Sequence, residues 1–93
     1  MMRLTVEGYL TRTSGSASPF EEKKLSFEGL SKGPVDLPWP ECHFEIEPRE
    51  NGANLVLDCI GQRKEAFLKM GIAQEFRFER AILALNIKFA LEE

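Results

Sequence analysis

Histidine, cysteine and tryptophan are scarce in this chain of 93 residues, which contains one His, two Cys and one Trp. Catalysis that needs a base near neutral pH therefore has to use His43 or a carboxylate with a raised pKa. Cys42 precedes His43, but adjacent side chains of a strand point to opposite faces. If this segment is a strand, a Cys-His pair like that of thiol hydrolases is excluded. Gly29 and Gly33 lack the Lys-Ser/Thr sequence of phosphate-binding loops, and we expect no cofactor.

Long apolar runs and an excess of basic residues are also missing. The most apolar segment, near the C-terminus, is interrupted by Asn86 and Lys88 and is shorter than the roughly 20 residues that cross a bilayer. The first residues carry neither the apolar core nor the cleavage site of a secretion signal. The formal net charge is -3, whereas nucleic-acid-binding surfaces are basic. We therefore expect a cytoplasmic protein without membrane or nucleic-acid partners.

The clearest positive signal is a β-hairpin over residues 42–60. Asn51 and Gly52 favour a type I′ turn, which needs positive φ at both central residues. The register that follows pairs Phe44 with Cys59, Ile46 with Leu57, Glu45 with Asp58, Glu47 with Val56 and Glu50 with Ala53. This register places the apolar side chains of both strands on one face. A slip of one residue would place the apolar side chains of one strand opposite the polar side chains of the other. That face contains Cys42, Phe44, Ile46, Leu55, Leu57 and Cys59.

The two cysteines are diagonal neighbours in this register, because Cys59 lies opposite Phe44. Bridged Cβ atoms are about 3.8 Å apart, which is closer than diagonal neighbours in a sheet. We therefore expect two reduced thiols that pack as small apolar side chains, as in cytosolic proteins.

Two further strands are predicted before the hairpin, over residues 2–12 and 24–28, where apolar and polar residues alternate. Residues 14–19 indicate a loop, and residues 18–21 have the capping-box spacing for one helical turn. Between residues 29 and 41, the flanking prolines hold Trp39 in extended backbone. Two interpretations stay open: Trp39 closes one end of the sheet, or it is an exposed anchor for a partner.

The C-terminal third is predicted to be helical. Residues 62–70 have apolar side chains at helical spacing, and Gly71 follows as a plausible C-cap. Residues 72–93 contain no Gly or Pro, which favours a long helix. The alternative is a strand, because residues 83–91 also alternate strictly. The predicted class is α+β, a single domain over residues 1–93, with an antiparallel sheet of about four strands (2–12, 24–28, 42–47 and 53–60) and a C-terminal helical segment packed on one face.

The polar face of the hairpin is the one cluster that suggests a site. Glu45 opposite Asp58 brings like charges together, and His43 lies two residues away. A divalent cation bound by all three would offset the repulsion. Solvation, or a basic residue from a neighbouring strand, would do the same. Two carboxylates and a lone histidine match no specific metal-binding motif, so the metal site is the lesser interpretation.

Association with another protein is the leading functional hypothesis, because no motif carries a recognisable chemistry. If residues 75–91 are helical, an apolar row faces away from the sheet, and monomers rarely leave such a row in water. This row contains Phe76, Leu83, Ile87 and Leu91. We expect a non-catalytic protein that forms a homodimer or joins a complex through this row, with Trp39 as a further contact. The alternative is a small ligand- or metal-dependent enzyme that uses His43, Glu45 and Asp58.

Overall fold

The structure, a computed structural model, describes residues 2–12, 21–29 and 33–92. Within these ranges the chain forms eight β-strands and no helix. In chain order they are β1 (Arg3–Arg12), β2 (Glu21–Glu28), β3 (Val35–Asp36), β4 (His43–Arg49), β5 (Gly52–Cys59), β6 (Gln62–Lys69), β7 (Gln74–Arg80) and β8 (Leu83–Glu92). They make two antiparallel sheets, β2-β1-β8-β7 (the first sheet) and β3-β4-β5-β6 (the second sheet). The α+β prediction is therefore wrong, because the described chain is all-β.

The two sheets enclose one apolar core, because alternate side chains of the strands face inward. The ring of Phe44 on β4 lies edge-on to Phe27 of β2 and to Phe89 of β8, with centroids 5.7 and 5.5 Å apart. These contacts join the second sheet to the first. The largest fully buried side chains are Phe44, Phe78, Phe89, Leu4, Leu10, Leu55, Leu57, Ile60, Leu68, Leu85, Ile87 and Leu91.

The predicted C-terminal helix is replaced by a hairpin of β7 and β8, so the strand alternative was correct. Ala81 and Ile82 form the turn, since Arg80 pairs with Leu83. Ala81 has a φ of 53°, a conformation that Gly or Asn adopts more readily. The residue types at positions 81 and 82 therefore do not predict a turn. As a strand, β8 points alternate residues into the core, and these are Leu85, Ile87, Phe89 and Leu91. A helix would have left one of two apolar stripes uncovered.

The predicted short helix over residues 62–70 is also wrong, because this segment is the edge strand β6. Ile60 and Gly61, with φ of 44° and 79°, make the turn that leads into it. Two side-chain hydrogen bonds hold β6 against β7 of the first sheet. Gln62 Nε2 donates to the carbonyl oxygen of Glu79 (2.7 Å), and Gln74 Nε2 donates to that of Phe67 (2.5 Å).

The hairpin of β4 and β5 is present, but its register differs from the predicted one by two residues. Arg49 pairs with Gly52, so Glu50 and Asn51 occupy the turn, and neither Asn51 nor Gly52 has a positive φ. The expected apolar set is still buried, because a shift of two residues keeps every side chain on its face.

The corrected register brings the two cysteines together, and the expectation of reduced thiols is wrong. Cys42 and Cys59 form a disulfide bond, with Cα atoms 4.1 Å apart. Ile60 N donates to the carbonyl oxygen of Glu41 (3.2 Å) beside them. The cysteines are thus the close, non-hydrogen-bonded kind of antiparallel pair.

Two predicted elements near the N-terminus lie wholly or mostly outside the described residues. The loop over residues 14–19 lies outside the described residues, as does most of the helical turn over residues 18–21; Glu21 belongs to β2. No helix long and apolar enough to cross a membrane occurs in the described residues.

Replacing Ala81 with Gly should stabilise the protein, because a left-handed conformation costs an L-residue about 1–2 kcal/mol that glycine does not incur. Urea denaturation should show a rise of about 1 kcal/mol in the free energy of unfolding. Ala84→Gly, inside β8, is the matched control and should lower it by about 0.5–1 kcal/mol. A gain in both variants would contradict the turn at residue 81.

Removing the disulfide with Cys42→Ala and Cys59→Ala should lower the free energy of unfolding by about 3 kcal/mol, the chain-entropy value for a loop of about 15 residues. The bridged residues are 17 apart in sequence. Reducing agent should lower the urea midpoint of the natural chain and leave that of the double variant unchanged. Two titratable thiols in the untreated natural chain would contradict the bond.

Candidate functional site

The outer face of the second sheet carries a row of charged side chains across its four strands. The pairing places Asp36, His43, Asp58 and Arg63 side by side. Asp58 Oδ2 lies 3.4 Å from His43 Nε2, and Asp58 Oδ1 accepts a hydrogen bond from Arg63 Nε (3.1 Å). Both oxygens of this carboxylate therefore already have a basic neighbour within the sheet.

Glu45 does not join this cluster, contrary to the predicted pairing with Asp58. It lies opposite Val56, and His43 takes the place opposite Asp58. The hydrogen bond and charge of Asp58 raise the pKa of Arg63 above its usual value, with smaller contributions from Glu65 and Glu45. No group of three or more His, Cys, Asp and Glu side chains that could hold a metal ion occurs in residues 2–12, 21–29 and 33–92. The row is best described as a network of cross-strand ion pairs.

The structure places the predicted interface residues in or beside the core. Ile87 and Leu91 are fully buried, while Phe76 and Leu83 are half-buried against the core. The apolar row that motivated the homodimer is therefore not on the surface of the molecule.

Trp39 is also buried, which agrees with the interpretation that it closes the core. Its Cζ2 and Cη2 atoms lie 2.8 Å from the position that a Cβ atom at residue 8 would occupy. Glycine at this position of β1 makes room for the indole ring. The indole N–H has no hydrogen-bond acceptor within the described residues.

A hollow of about 910 Å³ lies at the turn end of the β4–β5 hairpin. Four large hydrophobic side chains are exposed among the described residues, and two of them, Phe67 (39%) and Ile72 (53%), line this hollow. The remaining lining residues are Arg49, Glu50, Asn51, Asn54, Lys69 and Met70. We call this surface the hairpin hollow.

Gly52 shapes the floor of the hairpin hollow. A Cβ on Gly52 would lie 3.0 Å from Cζ of Phe67 and would collide with the carbonyl oxygen of Leu68. The glycine that suggested a type I′ turn is therefore needed for close approach of β6 to β5. Met70 N donates to the carbonyl oxygen of Asn51 (3.3 Å), which holds the end of β6 against the hairpin turn.

The cations of the hairpin hollow differ in how far they are neutralised. Arg49 Nη2 contacts Glu47 Oε1 at 2.5 Å. Lys69 has no ion pair with any other described residue. Glu50, which also lines the hollow, has no ion pair with a described residue either. The hollow thus combines Phe67, Met70 and Ile72 with one lysine and one glutamate that no described residue neutralises.

Sequence reasoning missed the hairpin hollow because it assigned β6 to a helix. A helix would have turned Phe67 and Lys69 in different directions, whereas in β6 both project from the outer face. The signal that could have found it is the Ile60-Gly61 pair, which ends β5 and returns the chain beside it.

The chain matches no protein-family model, no curated protein and no solved structure.

Divalent metal ions should leave the thermal midpoint unchanged, because no three His, Cys, Asp or Glu side chains of the described residues are placed to hold an ion, and the Asp58 carboxylate is already paired with Arg63. The protein would be treated with a chelator and melted with and without added zinc or manganese. A rise in midpoint that the His43→Ala variant loses would contradict this and restore the metal-dependent alternative.

Proposed function

We propose that this chain is a non-catalytic protein that acts by association and binds a segment of another protein in the hairpin hollow. The observation that carries the proposal is the convergence of Phe67, Met70 and Ile72 on one hollow of the described surface. Aromatic residues, methionine and arginine are enriched in the centres of protein interfaces. Exposed apolar side chains grouped in one place favour a binding surface over an ordinary solvated face.

The chemistry of the hollow favours a partner segment with an apolar side chain next to a carboxylate. The apolar side chain would pack on Phe67 and Ile72, and the carboxylate would neutralise Lys69. Arg49, already paired with Glu47, contributes less to this preference. Charge pairing of this kind mainly sets specificity and association rate, and the apolar contact supplies most of the affinity.

No specific contact favours the alternative of an enzyme based on His43, Glu45 and Asp58. Glu45 lies away from Asp58, and Arg63 already binds the Asp58 carboxylate. The row also lies on a strand face and lines none of the hairpin hollow. Association therefore has the stronger support.

The cytoplasmic placement stays a prediction with less support than the sequence provided. One of its arguments was a pair of reduced thiols. Disulfides persist mainly in oxidising compartments and are rare in the cytosol, so the Cys42–Cys59 bond favours an oxidising compartment.

An array of short synthetic peptides tests the proposed function. The two central positions combine an apolar residue with an acidic, neutral or basic neighbour, and binding is measured by fluorescence polarisation. We expect the tightest binding for Leu, Ile or Phe beside Asp or Glu. Lys69→Glu should reverse the preference towards basic neighbours, because the lining then carries two unpaired carboxylates, at positions 50 and 69, and no unpaired cation.

The double variant Phe67→Ser and Ile72→Ser should lose binding, since it removes the apolar contacts. Tyr9→Ser is the matched control, because Tyr9 is exposed to the same extent as Phe67, 39%, but lies on the first sheet. Binding that is insensitive to the double variant, or equally sensitive to Tyr9→Ser, would refute the hairpin hollow as the site.

A further inference from the structure

The described sandwich has one long strand edge that nothing in the described residues covers. The edges of β6 and β7 lie beside each other and are bridged by Gln62 and Gln74. The other edge of the second sheet begins with the short strand β3, and the part of β4 beyond it contains Pro48, which cannot donate to a further strand. The outer edge of β2 (Glu21–Glu28) pairs with no described strand. Unpaired edges of this kind are templates for another strand.

We propose that β2 pairs with β2 of a second copy of this chain, antiparallel and centred on Ser26, so that the two first sheets form one continuous sheet. The proposal is independent of the hairpin hollow, which lies on the second sheet. The two copies would be related by a two-fold axis, the commonest symmetry of soluble dimers.

The sequence of β2 selects the register centred on Ser26. If the outer faces of both first sheets are to lie on the same side, the two-fold axis must be perpendicular to the sheet. One residue of β2 then lies opposite the same residue of the partner. Centring the pair on Lys23 or on Lys24 would place that lysine opposite itself, and centring it on Leu25 would oppose two glutamates. Like charges directly opposite each other destabilise a sheet. Centring on Phe27 opposes no like charges, but it pairs only residues 25–29 and opposes no unlike charges. Centring on Ser26 pairs residues 23–29 and places Lys24 opposite the partner's Glu28 and Leu25 opposite the partner's Phe27.

This register extends an alternation of charge that already crosses the first sheet. Glu7 Oε1 lies 4.0 Å from Nζ of Lys24 on β2 and 4.0 Å from Nζ of Lys88 on β8. Glu75 on β7 pairs in turn with Lys88, and Arg3 pairs with Glu28. Across the dimer the signs would alternate without a break in the order Glu75, Lys88, Glu7, Lys24, the partner's Glu28 and the partner's Arg3.

The apolar side of β2 is incomplete in one copy. Leu25 and Phe27 are half-buried and pack against the core from its edge. In the proposed pairing Leu25 lies opposite the partner's Phe27, and Phe27 lies opposite the partner's Leu25. Both side chains then lose contact with water. About six to eight main-chain hydrogen bonds would form between residues 23 and 29 of the two copies. An interface of this length is at the small end of stable interfaces, and we expect a reversible dimer.

Sedimentation equilibrium over a concentration series from micromolar to millimolar tests the proposal. The natural chain should reach twice the chain mass. Lys24→Glu and Glu28→Lys should each weaken the homodimer by about tenfold or more, because each places like charges opposite one another twice. A mixture of these two variants should form a heterodimer, since the glutamates at positions 24 and 28 of one chain then face lysines at positions 28 and 24 of the other. The whole pattern, a dimer of the natural chain that each variant weakens and the mixture restores, is expected only when residue 24 lies opposite residue 28.

Three controls separate this interface from other modes of association. Lys23→Glu should leave the dimer intact, because residue 23 lies opposite Gly29 in this register. Ser26→Cys should give a covalent dimer under mild oxidation, since only this register brings the two residues together. Phe67→Ser with Ile72→Ser should leave the mass unchanged, so failure of the hairpin hollow is distinguished from failure of the dimer. A natural chain that stays monomeric at millimolar concentration, or variants that fail to complement, would overturn the proposal.

Discussion

The register of β4 against β5 determines where most side chains of the second sheet lie. Placing Cys42 opposite Cys59 puts the turn at Glu50-Asn51 and brings Gly52 into β5. Because Gly52 then lies in a strand, the Phe67 ring of β6 packs over it and forms the floor of the hairpin hollow. The same register moves His43 opposite Asp58 and separates Glu45 from it. One pairing therefore shapes the hairpin hollow and separates two of the three residues of the predicted metal site.

Backbone strain is concentrated at the other end of this hairpin. Glu41, Ile60 and Ala81 are the three non-glycine residues with positive φ in the described part of the chain. All three line a hollow of about 350 Å³ beside the disulfide. Each costs about 1–2 kcal/mol in a left-handed conformation. At Ile60 and Ala81 a connection of only two residues joins neighbouring strands. The burial of Ile60, Cys59 and Leu85 offsets the cost of these conformations.

The sequence predicted the faces of the strands better than their partners. A period of two assigns inside and outside, and it did so correctly for β1, β4 and β5, but it cannot distinguish registers that differ by two residues. The turn at Ala81 and Ile82 contains no glycine, asparagine or proline. Because the sequence shows no turn signal there, it favoured one long helix over the hairpin of β7 and β8. β6 was misassigned for a related reason: as an edge strand it fully buries only Leu68 and lacks a clear alternation. The hairpin hollow depends on β6 and on the register, which are the two features that the pattern does not determine.

The four sheet edges differ in how far they favour pairing with a further strand. Gln62 and Gln74 each donate to one carbonyl oxygen across the gap between β6 and β7, and Pro48 interrupts the edge of β4, so these edges do not favour a further strand. β2 instead carries charges of both signs, which favour the register centred on Ser26 and disfavour registers that place like charges opposite each other. A dimer built on β2 uses the first sheet and leaves the hairpin hollow of each copy open on the second. Two hollows held in one assembly would bind a partner with two suitable segments more tightly than either hollow alone, because the second contact becomes intramolecular.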